Sequence, residues 1–140
     1  MAQSQEPTKE GYGEAVRLLC GEETVADNAY KSVVCYEGTC TAAAETSTYA
    51  TPAATKSTKS GVSIADADSV ASVATTVTDD TVQVDHEFTA GETVTVTGFG
   101  VCNDANDKLY AECCFNAGIA LEDTDKLTVQ MKVLYQKDSG

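Results

Sequence analysis

Basic side chains are scarce in this chain: 9 Lys and Arg stand against 22 Asp and Glu, for a formal net charge of −13. Nucleic-acid binding is driven by cationic side chains that release counterions from phosphates, so this balance argues against it, and anionic membrane surfaces repel such a chain for the same reason. Long apolar runs are missing too, and none approaches the roughly 20 residues of a membrane helix. The opening residues, Met1 to Glu10, are polar and lack the apolar stretch of a secretory signal. The expectation is a protein made in the cytoplasm that enters an assembly without classical export. Tryptophan is absent and histidine occurs once, at position 86. P-loop, dinucleotide-binding and nucleophile-elbow motifs are also missing, so the chain reads as a non-enzyme with no cofactor.

What the chain does have is alternation. In the run from Thr81 to Phe88, Val82, Val84, His86 and Phe88 share one face, while Gln83, Asp85 and Glu87 share the other. Leu109, Ala111, Cys113 and Phe115 repeat the pattern, as do Leu127, Val129, Met131, Val133 and Tyr135. A period of two is the mark of a strand with one buried and one wet face. Strands are also expected at 30–36, 69–78 and 93–101. In the last of these, Val94 and Val96 lie in one phase and Phe99 and Val101 in the other, so a β-bulge is expected at Gly98. Asp79–Asp80, Ala90–Gly91 and the Asn/Asp run 103–107 supply turns. Six or seven short strands at this spacing predict an all-β fold, an antiparallel β-sandwich of jelly-roll or immunoglobulin-like type.

At 140 residues the chain is most simply one domain. Residues 1–29 read as an N-terminal arm followed by one short helix, 11–21, in which Val16, Leu19 and Cys20 form an apolar stripe and Gly21 is the stop. Residues 30–140 form the sandwich. Within it, 37–60 is a Thr/Ala-rich segment with few large side chains, expected as a long loop over the surface.

Six cysteines call for an explanation. Their spacing does not match a zinc site, so no metal is expected, and most read as small apolar fillers. Cys113 points to the core in the alternation. Cys114 then points outward and is the candidate for a bond between subunits. His86, on the Val82/Val84/Phe88 face, reads as a core or interface histidine rather than a general base. The acidic runs 103–107 and 122–125 lack the calcium-loop pattern and read as turns.

Residues 93–133 carry a further pattern: Gly100, Val101, Asn103, Leu109, Ala111, Phe115, Ile119, Leu121, Asp125, Leu127, Thr128 and Val129. This order of strand, turn, "D-x-L-T-V" and last strand resembles the C-terminal half of small virion proteins of tailed phages and prophages. The resemblance covers 81–135 by residue and 33–80 by composition and order. It implies a structural component of a virus particle, with the major capsid protein or other virion proteins as partners. The leading expectation is a capsid decoration or cement protein, self-associated as a homo-oligomer, with a trimer favoured. The alternative is a tail or fibre component that contacts the host. Tyr12, Val16, Leu19, Tyr36 and Tyr49 are the expected interface anchors, since exposed aromatic and apolar side chains carry most contact energy.

Overall fold

The computed structural model describes residues 3–135. Two antiparallel sheets pack face to face, with a short N-terminal helix beside them, so the fold is a β-sandwich-like arrangement. Sheet A has the order β1-β8-β7-β2-β3, with β4 also paired to β2; sheet B is β5-β6-β9. The principal strands are β2 (Tyr30–Glu37), β6 (Thr81–Thr89), β7 (Val94–Asn103), β8 (Leu109–Leu121) and β9 (Lys126–Leu134). The short ones are β1 (Ser4–Pro7), β3 (Thr55–Lys56), β4 (Ala65–Asp66) and β5 (Ser69–Val73).

The alternating runs lie where the sequence places them. Val84, Phe88, Val129, Met131 and Val133 of sheet B meet Val33, Val101, Ala111 and Cys113 of sheet A in the main core. The expected slip in β7 is present. Val94, Val96, Phe99 and Val101 all reach this core, and the β7–β8 register shifts between Val96 and Gly98. Val96 stands opposite Ile119 and Gly98 opposite Cys114, so two steps along β7 correspond to five along β8. A Cβ on Gly98 would lie 2.3 Å from the Cys113 carbonyl oxygen, which leaves room for nothing larger than glycine.

Four features depart from expectation. Strand β5 ends at Val73, where a strand through 78 was expected. The N-terminal arm is itself a strand: β1 pairs along β8, with Ser4 opposite Cys114. Strand β8 runs on through 116–121, where an irregular crossing was expected. Most important, sheet A has no wet face at its centre. Although β3 joins the edge of sheet A and Val62 reaches the main core, much of the segment from Gly38 to Ile64 folds across the face that points away from sheet B. There Val34, Tyr36, Cys40, Cys102, Leu109 and Cys114 form a second core, with Tyr49, Ala53, Ala54 and Ile64 against it.

Helix α1 (Lys9–Leu19) starts at Thr8, whose hydroxyl accepts the Gly11 N–H at 2.9 Å and donates to the Leu109 carbonyl. It stops at Gly21 (φ 73°). There Gly21 N–H bonds Leu18 O and Glu22 N–H bonds Arg17 O, the paired closure that a left-handed glycine permits. The helix rests on β8 through Gly11, where a Cβ would stand 2.6 Å from the Tyr110 Cα. A four-residue α2 (Val25–Asn28) leads into β2.

Candidate functional site

The cover over sheet A is held by buried polar chemistry. Glu112 projects from β8 into the second core and is fully buried. Its carboxylate accepts four hydrogen bonds: from Tyr36 Oη (3.0 Å), Ser47 Oγ (2.6 Å), Ala44 N–H (3.0 Å) and Ala53 N–H (3.1 Å). A buried carboxylate is tolerated only when its oxygens are satisfied in this way. Three of the four donors belong to the cover, so one charge fastens 44–53 to the sheet. Glu10, in the first turn of α1, repeats the device by accepting from Tyr49 N–H and Leu109 N–H, both at 2.8 Å.

The same cover corrects two expectations. Cys114 does not offer an outward thiol for a neighbouring subunit. It is 1% exposed and forms a disulfide with Cys40 of the cover, because the direction that is outward for a single sheet is here the inside of a second core. Tyr36 is not an exposed anchor either. It is completely buried, and burial, aided by the neighbouring Glu112, pushes its phenol far above the ordinary value. Tyr49 is partly buried on the cover, with the Lys56 ammonium 3.8 Å over its ring.

Cys20 is exposed at the end of α1, and the other three free thiols are poorly placed for chemistry. Cys35 and Cys102 are buried, and desolvation pushes both up to about 12. Burial also raises Cys113. Thiols held protonated in this way are weak nucleophiles and weak ligands. Among the described residues, no group of three or more His, Cys, Asp or Glu side chains is placed to hold a metal ion. His86 stands edge-on to Phe88 at 4.5 Å between ring centres. Its Nδ1 lies 3.3 Å from an Asp68 carboxylate oxygen, an ion pair only when the ring is protonated.

The other three expected anchors come together. The helix lays Gly11 and the buried Glu14 against the body of the protein, with Arg17 3.2 Å from the Glu14 carboxylate. That turns Tyr12, Val16 and Leu19, spaced four and three residues apart, onto one outward stripe, with exposures of 44%, 58% and 88%. A short helix of this kind is expected to pack on the sheet or on a neighbouring subunit, and it meets β8 with another face than the Val16–Leu19–Cys20 stripe. The face that packs is the one with glycine and a paired acid, because only a glycine lets the helix backbone approach Tyr110 so closely.

A tyrosine cluster extends the stripe across the end of the sandwich. Tyr12 meets Tyr135 edge-on at 6.3 Å, Tyr135 and Tyr30 share a 2.6 Å hydroxyl contact, and Tyr30 stacks on Tyr110 at 3.8 Å. The Tyr110 hydroxyl donates to the Asn28 carbonyl. Burial raises the phenols of Tyr30, Tyr110 and Tyr135, so all three stay neutral. Beside them, between α1 and sheet B, runs a groove of about 370 Å³ bordered by Leu18, Leu19, Tyr30, Val82 and Tyr135. The period-two pattern of β9 assigns Tyr135 to the core, whereas it stands 38% exposed at the end of the strand. Leu18 and Tyr30 carry no sequence signal that marks them as groove residues.

Compared with protein-family models, curated proteins and solved structures, the chain matches none.

Proposed function

We propose that this chain is a non-enzymatic accessory structural protein of a tailed-virus particle, foremost a capsid decoration or cement protein. The observation that carries the reading is the exposed stripe Tyr12–Val16–Leu19, continued by Tyr135, on a surface otherwise rich in acidic groups. Large contiguous apolar surface on a folded domain marks a contact with another protein. Aromatic and aliphatic anchors of this kind supply most of the energy of such contacts. The resemblance of residues 81–135 to small virion proteins supplies the setting, and the sandwich supplies a rigid body on which the stripe is displayed.

The mechanism is burial of surface. Copies seated on the shell bridge neighbouring capsid subunits, so rupture must first expose the apolar stripe to water. Self-association as a trimer belongs to the same reading, because closed symmetry shields the free edges of the sheets.

Electron microscopy of particles made with and without the protein tests this directly. The expected result is extra density on the head and a head that breaks at lower temperature or lower salt when the protein is missing. A complete and fully stable head without it sinks the cement role, and density on the tail moves the protein to the host-contacting alternative.

A further inference from the structure

The groove beside the stripe has a chemistry of its own. Its walls are the C-terminal half of α1 and the β5–β6 side of sheet B, and an adjoining hollow of about 250 Å³ continues it past Ala29 and Val70. Leu19, Val70 and Tyr135 stand exposed along it, so apolar surface remains open to water there. Among the described residues, the charged ones that line the groove are Asp79 and Asp80, and neither it nor the adjoining hollow is lined by a Lys or Arg. Asp80 is engaged in its own turn, while Asp79, exposed at the rim, accepts the Ser72 hydroxyl at 2.8 Å.

We infer that this groove receives an apolar side chain carried on a segment flanked by Lys or Arg, from a partner protein of basic surface. Charge complementarity decides among occupants. At physiological salt only charges within about 8 Å act strongly, so the local acids count for more than the distant ones. A second copy would have to present its own α1 stripe. Beside that stripe Glu10 and Glu14 turn inward, and Lys9 and Arg17 are paired with Glu45 and Glu14, which leaves Glu22 and Glu23 next to it, so it would bring acid to acid. An apolar anchor between cations meets both requirements, with its apolar body against Leu18, Leu19, Tyr30 and Val82 and its charge beside Asp79. The inference rests on the accessory-protein reading only for where that partner is found.

The test uses the full chain and two synthetic peptides of equal length, one of Leu and Lys and one of Leu and Glu. Calorimetry and amide NMR report binding. The Leu/Lys peptide should bind and shift resonances in α1, β5 and β6. The uncharged double variant Leu19→Ser/Val70→Ser should weaken it about tenfold by removing apolar contact. Asp79→Asn should weaken it about threefold at low salt and less at high salt. Equal binding of the Leu/Glu peptide, undiminished binding by the double variant, or no binding of either peptide overturns the inference. So does self-association of the wild type that the double variant abolishes, since a second copy would then fill the groove. Peptide binding by a protein that never reaches a particle would overturn the accessory-protein reading alone. Normal particle binding by the double variant would overturn the groove alone.

Discussion

Strands β8 and β9 are close in sequence and of similar composition, yet they are buried in different ways. In β9, Val129, Met131 and Val133 are buried while Thr128, Gln130 and Lys132 between them are open to solvent. In β8, every residue from Leu109 to Cys114 is buried. The difference is the number of neighbours. Sheet B has one covered face, and sheet A lies between sheet B and the 38–64 cover. Alternating hydrophobicity counts the faces that are apolar, and it miscounts where a face is sealed by polar and small groups instead. On sheet A that seal is a carboxylate, a disulfide and a set of Ala, Ser and Thr residues.

The contrast can be broken at its strongest point first. Glu112→Ala should remove the acceptor for four donors at once and cost about 3–5 kcal/mol, the range for breaking a buried charge network. Urea unfolding measures the loss, and hydrogen exchange should show 41–54 opened while β6 and β9 keep their protection. Next comes the disulfide. Cys40 and Cys114 are 74 residues apart, so removing the link by Cys40→Ser/Cys114→Ser should cost about 2–4 kcal/mol through the freed unfolded chain. The wild type should run as a monomer on non-reducing gels, and a disulfide-linked dimer would show that the pairing is wrong.

Sheet B responds through its turn rather than its face. Asp80 accepts the Thr75, Thr76 and Val77 amides at 2.8 Å and the Thr81 hydroxyl at 2.9 Å. The Val77 bond leads the set that holds its carboxyl well below the usual carboxylate range. Because the folded value is depressed, its stabilisation is present above about pH 4 and is lost as the pH falls below that. Asp80→Asn should therefore flatten the acid limb of the stability–pH curve, and an unchanged limb would remove Asp80 from the account. The smallest effect belongs to the wet face. Gln130→Thr removes one exposed bond to Asp85 and should stay within about 0.5 kcal/mol in the same urea assay.

Much of the frame was legible in the residues. The strands at 81–89, 94–103 and 126–134 follow from alternation, the one at 30–37 was expected at 30–36 from a short apolar run, and the slip at Gly98 follows from a change of phase within one strand. The cover was not legible, because Ala43 and Ser47 are buried without any period to announce it. Glu112 was hidden in the phase that normally faces water. The partner of Cys114 was hidden because disulfide connectivity does not follow from cysteine positions. Strand β1 is Ser-Gln-Glu-Pro, a sequence with no strand propensity that pairs because β8 offers it an edge. On α1 the outward anchors Tyr12, Val16 and Leu19 were legible, but not the glycine and buried acid of the opposite face that seat the helix.

The pairing of Ser4 with Cys114 sets a schedule as well as a shape. A ribosome releases β1, α1 and β2 first, yet their partners lie in β7 and β8, and the Glu112 that fastens the cover comes later than all of them. Until β7 and β8 emerge, the first ninety or so residues therefore hold only local pairings, β2 with β3 and β4 and β5 with β6. Folds dominated by such distant pairings complete in milliseconds to seconds, once the whole set is present. For this protein the last quarter of translation is the step that makes the first quarter fold.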